Sequence, residues 1–182
     1  MIEHEQKYRI SKLSRVQARA LAIGFKEVSM IHQKDTYYSR ADVDFMQTKE
    51  CLRVREEHNS AEITYKPPTT TEMIDMQSIW KKETNLAIAQ GDISTAHEML
   101  ISLGCKRLCI VNKYREKYEK KDIILALDTI TRLGSFAEIE IMSELHDETA
   151  IHKIQAIAKT LGLPQSDIVR LPYRDLLMLQ MK

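Results

Sequence analysis

The 182-residue sequence is short of the residues that make staples, breaks and membrane spans. Its three cysteines, Cys51, Cys105 and Cys109, are an odd set with no CxxC pair, which excludes a disulfide framework and reads as reduced packing residues. Six histidines show neither HxH nor HExxH spacing, so a zinc centre is not expected and His4 is read as packing or facing solvent. No serine or cysteine has a partner base close by in sequence, which leaves nucleophilic schemes without support. No apolar run approaches the length that crosses a bilayer, and charge from the third residue argues against a leader, so a cytoplasmic protein is expected. Charge of one sign is also lacking: 27 Lys+Arg stand against 26 Asp+Glu, giving +1. That balance gives no basis for bulk attraction to nucleic acid or to an anionic membrane, so any charge-based function must come from local arrangement.

What is present is a recurring alternation. In "IEHEQKYRI" the strand period places Glu3, Glu5, Lys7 and Arg9 on one face at intervals of about 6 to 7 Å. One such face alone is an ordinary solvated strand surface. The same pattern returns, however, on strand after strand. Arg53 and Arg55 share a face in "CLRVRE", as do Glu62, Thr64 and Lys66 in "EITYK", and Lys81 and Glu83 in "WKKET". Lys113, Arg115 and Lys117 line up in "NKYREKY", Glu138 and Glu140 in "FAEIEI", and Asp128 ends an apolar run.

Eight strands are predicted, at "IEHEQKYRI", "FKEVSMIHQKDTYYS", "KECLRVREE", "AEITYKPP", "SIWKKETNLAI", "CKRLCIVNKYREKYE", "DIILALDTI" and "SFAEIEIMS". Four helices are predicted: one capped by Ser11 and ended by Gly24, one capped by Asp92, then "DETAIHKIQAIAKTLG" and "YRDLLML". "PPTTTEMIDMQ" has no period and reads as a loop. An internal echo sets "LAIGFKEVSMIHQKDTYY" over "ISLGCKRLCIVNKYREKY" at constant offset, Gly24 over Gly104 and Tyr38 over Tyr118, consistent with a duplicated half-barrel.

An open sheet with one wet face would scatter its charges, whereas here the acids gather on the first and last strands and the bases on the middle ones. The expected fold is therefore α+β: one domain over residues 1–182, an eight-stranded antiparallel closed β-barrel with helices packed outside and a polar lumen. An acidic wall facing a basic wall suits a polyanion held by arginines and lysines and bridged by divalent cations to carboxylates, and a triphosphate meets that description.

"EHEQK" matches the ExExK signature of the CYTH superfamily, the triphosphate tunnel metalloenzymes, and "DTYY", "CLRVR", "ITYKPP", "NKYREKY", "LDTITRLGSFAEIEI" and "YRDLL" resemble the family's successive blocks across the whole chain. "LGSFAEIEI" and "YRDLL" look most like the class IV adenylyl cyclases. Asn85 and Ala87, where further acids are often seen, and Pro172, where a serine usually precedes the tyrosine, depart from the pattern. The resemblance implies that Glu3, Glu5, Asp128, Glu138 and Glu140 supply oxygen ligands for Mg²⁺ or Mn²⁺, and that Lys7, Arg53, Arg55, Lys66, Lys113 and Arg115 bind the triphosphate. Glu5, Lys7, Arg55 and Asp128 are the implied catalytic set. A cyclase making cyclic AMP and pyrophosphate from ATP is the leading expectation. The alternatives are a triphosphatase acting on thiamine triphosphate, nucleoside triphosphates or tripolyphosphate, and a non-catalytic binding module. Trp80 is expected to pack at a barrel rim, Tyr37 and Tyr173 stand as candidates for closing the tunnel, and a homodimer through an exposed edge or helix is left open.

Overall fold

The computed structural model describes residues 2–68, 83–143 and 148–181. The side chains of residues 2, 3, 143 and 148 are outside that description. The eight strands are β1 (Ile2–Ile10), β2 (Lys26–Ser39), β3 (Cys51–Glu56), β4 (Ala61–Lys66), β5 (Thr84–Ile88), β6 (Lys106–Lys120), β7 (Ile123–Ile130) and β8 (Gly134–Ser143). The helices are α1 (Leu13–Ala22), α2 (Phe45–Thr48), α3 (Ile93–Ser102), α4 (Glu148–Leu161) and α5 (Tyr173–Gln180).

Every predicted strand is present, and four of the five helices are those expected from sequence. The fifth, α2, spans four residues, too few to leave a period; Asp44 caps it by accepting from the Met46 amide at 2.9 Å. Two caps differ from expectation. Lys12, not Ser11, stands at the start of α1, and neither Lys12 nor Asp92 makes a side-chain capping bond. Of the loop read at "PPTTTEMIDMQ", all but Pro67 and Pro68 lies outside the described residues, as do Trp80 and Lys81.

The strands form one sheet in the order β1-β8-β7-β6-β2-β3-β4-β5. Pairings β1–β8, β7–β8, β2–β3, β3–β4 and β4–β5 are all antiparallel. Among the described residues no pairing joins β1 to β5, so the sheet keeps two edges and a hydrogen-bonded closure is not seen. The edge of β1 has another partner. Tyr8 bridges Ile168, and the Val169 amide donates to the Lys7 carbonyl at 2.8 Å, so the segment after α4 covers main-chain groups that an open edge would leave bare.

The chain divides into two compact units, one built mainly from residues 1–31 and 114–170, the other from 32–71, 81–113 and 171–182. β2 and β6 each run from one unit into the other. In the first unit, α1 and α4 pack on one face of the β1-β8-β7 sheet; Tyr8, Val16, Ala20, Phe25, Leu125, Leu127, Ile139, Ile154 and Leu161 form its core. The second has a smaller core of Tyr38, Val54 and Leu100, with Leu52, Ile63 and Ile88 against it.

The internal echo reaches the element level. α1 and α3 fall at the same offset as β2 and β6, and each helix makes the same contact in its own unit. In the first, Gln17 of α1 donates to the Tyr118 hydroxyl at 2.8 Å and to Glu116 at 3.3 Å. In the second, the equivalent position on α3 is His97, whose Nδ1 shares a 2.5 Å hydrogen bond with the Tyr38 hydroxyl and whose Nε2 lies 3.4 Å from Glu56. Both tyrosines are fully buried, so each hydroxyl requires such a partner. Among the described residues no helix is long and apolar enough to cross a membrane.

Candidate functional site

The apolar side of each strand supplies the cores, and the charged side is the one left over. It is not a wet surface. Lys113 is 3 % exposed, Lys7 7 %, Glu138 6 %, Asp35 1 % and Asp128 0 %. Lysine and carboxylates reach such burial only when paired.

In the first unit, strand register builds an acidic cluster. Antiparallel pairing sets Glu5 directly opposite Glu140 and Lys7 opposite Glu138, while Asp128 comes from β7. Arg115 of β6 is the hub. Its Nε and Nη2 reach the two oxygens of Asp128 at 2.7 and 2.6 Å, Nη2 also contacts Glu138, and Nη1 lies 3.7 Å from Glu140. Lys7 Nζ stands 3.5 Å from the other oxygen of Glu138. Burial disfavours the charged guanidinium of Arg115, but the carboxylates of Glu138, Asp128 and Glu140 outweigh it and hold the group protonated well above its ordinary range.

Among the described residues this cluster brings four carboxylates, Glu5, Asp128, Glu138 and Glu140, together with Lys7 and Arg115. Directly opposed like charges on paired strands destabilise a sheet, and Glu5 facing Glu140 is such a pair. Carboxylate oxygens are the donor chemistry that a hard divalent cation takes, and Glu5 and Glu140 are the two carboxylates of this cluster least engaged by Arg115. Among the described residues no group of three or more His, Cys, Asp or Glu is disposed as a metal site. The backbone of Glu3 lies on the same face, opposite Met142, but its side chain falls outside the described ones.

The second unit holds a basic cluster: Arg53 and Arg55 on β3, Lys66 on β4 and Lys113 on β6. Its hub is an acid that the sequence reading did not single out. Asp35 of β2 lies opposite Arg55 in register and takes a forked pair from it, Nε to Oδ1 and Nη2 to Oδ2, both 2.7 Å. Arg53 Nη1 and Lys113 Nζ each stand 3.8 Å from Oδ2. Burial pushes the Asp35 carboxyl up, but the hydrogen bonds and charge of Arg55, with Lys113 and Arg53, prevail and hold it well below the usual carboxylate range. Glu83 pairs with Lys66 at 2.6 Å and with Arg53 at 3.6 Å, and Arg53 Nη2 is 4.0 Å from Glu62. Arg53 Nε is buried with no hydrogen-bond partner, an orphaned donor that an anionic oxygen would satisfy.

The six cations predicted to bind phosphate thus divide: Arg53, Arg55, Lys66 and Lys113 stand in the basic cluster, Lys7 and Arg115 among the acids. Parity could have found Asp35, because a residue directly opposite Arg55 shares its face, and the internal echo sets Asp35 over Arg115. Lys117 pairs with Glu119 at 3.0 Å and is 36 % exposed, placing it on solvated surface. Tyr37 and Tyr173 are buried, the latter 5.6 Å from Lys113 Nζ. Of the two readings of His4, packed or facing solvent, the structure has the packed one, fully buried, and the three cysteines are free thiols.

Known proteins share this architecture. A Methanocaldococcus jannaschii protein named as a candidate adenylate cyclase is 32 % identical over 178 residues, 97 % of this chain and 98 % of its own. A solved Pyrococcus horikoshii structure is 32 % identical and superposes with a TM-score of 0.86 over 99 % of both chains. A Hippeastrum protein, described as a candidate adenylyl cyclase with a dominant triphosphatase activity, shares the fold at 15 % identity, with a TM-score of 0.72 over 100 % of this chain and 96 % of its own. The CYTH domain profile matches residues 1–173. Carboxylates clustered on β1, β8 and β7, bases on β3, β4 and β6, and a match across nearly the full length lead to one conclusion: the chain belongs to the CYTH domain family.

Proposed function

We propose that this protein is a divalent-metal-dependent enzyme acting on a triphosphate, and specifically a class IV adenylyl cyclase that converts ATP to cyclic AMP and pyrophosphate. The observation that carries the reading is the sorting of charge: carboxylates of β1, β7 and β8 gathered around Arg115, and a basic cluster holding an orphaned arginine donor. A closed tunnel around the substrate is part of this proposal.

In the proposed reaction Arg53, Arg55, Lys66 and Lys113 hold the phosphate chain, the guanidinium groups by forked hydrogen bonds. Lys7 and Arg115 add positive charge where the pyrophosphate departs. Glu5 and Glu140, with Glu3, Glu138 and Asp128, hold Mg²⁺ or Mn²⁺. The ion, when bound, supplies Lewis-acid polarisation of the ribose 3′-hydroxyl and neutralises phosphate charge. The 3′-oxygen then bonds to the α-phosphorus, the bond from that phosphorus to the bridging oxygen of the β-phosphate breaks, and the hydroxyl proton passes to solvent. The low exposure of Lys7, Lys113 and Asp128 keeps competing water from these groups.

The same residues would serve a triphosphatase, the activity described for the Hippeastrum protein of this fold. In that case water attacks a terminal phosphorus. Phosphorus NMR of ATP incubated with the protein and Mg²⁺ or Mn²⁺ separates the two. Cyclic AMP with pyrophosphate, lost in Glu5→Gln and Arg55→Ala, is the expected result. ADP with orthophosphate would move the assignment to the hydrolase, and no turnover of ATP, thiamine triphosphate or tripolyphosphate would overturn both.

A further inference from the structure

We infer that Asp35 is the positioning residue of the basic cluster: its buried carboxylate fixes Arg55 and draws Arg53 and Lys113 to the same point, so that the cations are in place before an anion arrives. The inference rests on the triphosphate reading above for the identity of that anion.

The geometry divides the work of the two carboxylate oxygens. Both hydrogen bonds go to Arg55, in a fork whose register is set by the β2–β3 pairing. Arg53 and Lys113, at 3.8 Å, lie beyond hydrogen-bond range and are held by charge, which leaves donors such as Arg53 Nε for something else. Without Asp35, three cations would crowd a region where lysine and arginine heads have little water, and their repulsion would splay them. At 1 % exposure the carboxylate lies beneath the cations, where it orders them without standing in an incoming ligand's way.

A second instance supports the reading. The position equivalent to Asp35 in the internal echo is Arg115, and it carries the opposite charge. Arg115 is ringed by Asp128, Glu138 and Glu140 as Asp35 is ringed by Arg55, Arg53 and Lys113. One strand position thus supplies the central counter-ion of each cluster, with the sign exchanged.

The test is a double-mutant cycle on inorganic tripolyphosphate binding, measured by calorimetry in the presence of a chelator, for wild type, Asp35→Asn, Arg55→Ala and the pair. Asp35→Asn is expected to weaken binding about tenfold, and the pair to bind more tightly than the product of the two single losses would give, because Asp35 acts in large part through Arg55. A merely structural role would make the two losses multiply. A tighter-binding Asp35→Asn would show a competitor anion instead, and either result overturns the inference. A ligand-free readout runs beside it: the ¹⁵N–¹H signal of Arg55 Nε should be protected from exchange in wild type and lost in Asp35→Asn. If that signal survives, positioning is overturned whatever binds. If wild type binds no tripolyphosphate but the signal is lost, the triphosphate reading fails and the ordering role stands. Should Asp35→Asn not fold, Asp35→Glu decides: it moves the carboxylate by one methylene, so the Arg55 signal and the affinity must change together, and a shifted signal with unchanged affinity contradicts the inference.

Discussion

Asp35 and Glu83 are carboxylates whose affinity for protons the fold lowers, each against its own burial and through the cations beside it. A carboxyl that binds its proton less readily when folded stabilises the native state above its unfolded value of about 4, and that contribution is lost as the pH falls toward the folded value. The melting temperature of the wild type should therefore fall between about pH 5 and pH 2.5, a window set by the downward direction of both shifts. Asp35→Asn should melt lower at neutral pH and lose less across the same window. Parallel curves for the two proteins would show that the pairing does not contribute. The signs of these residues were legible in the sequence; their partners were not. Alternation placed Arg53 and Arg55 on one face, but a list of like-charged faces does not show which buried cation needs which anion. That information lies in the register, where Asp35 meets Arg55 and Glu5 meets Glu140.

At the level of elements, the strands were readable because a two-residue period and β-branched runs survive in short windows, and α1, α3 and α4 because each ends in a glycine. What escaped was short or non-local: α2 with four residues, and the edge contact of Ile168 and Val169 with β1, which joins residues far apart in sequence. Gly24 and Gly104 show how closely the two halves correspond. They end α1 and α3 at φ +91° and +84°, and a methyl added at either meets nothing within 4 Å. Gly24→Ala and Gly104→Ala should thus each cost only the left-handed backbone penalty, about 1 kcal/mol, measured by urea denaturation. A cost several times larger at one site, or none at either, would contradict this equivalence.

For the whole molecule, sequence and structure agree on an eight-stranded antiparallel sheet with helices and on charged strand faces withdrawn from water. The expected barrel closure is not carried by hydrogen bonds among the described strands, a property of strand ends that alternation cannot encode. The proposed function divides the labour between the two clusters: bases for the phosphate chain, acids for the metal. Calorimetric titration of wild type, Glu140→Gln and Arg55→Ala with tripolyphosphate, with and without Mg²⁺, tests it most directly. Metal-free binding that Arg55→Ala weakens and Glu140→Gln preserves is expected, with a tightening by Mg²⁺ that Glu140→Gln removes. Equal binding with and without Mg²⁺ in the wild type, or a loss of metal-free binding in Glu140→Gln, would contradict it.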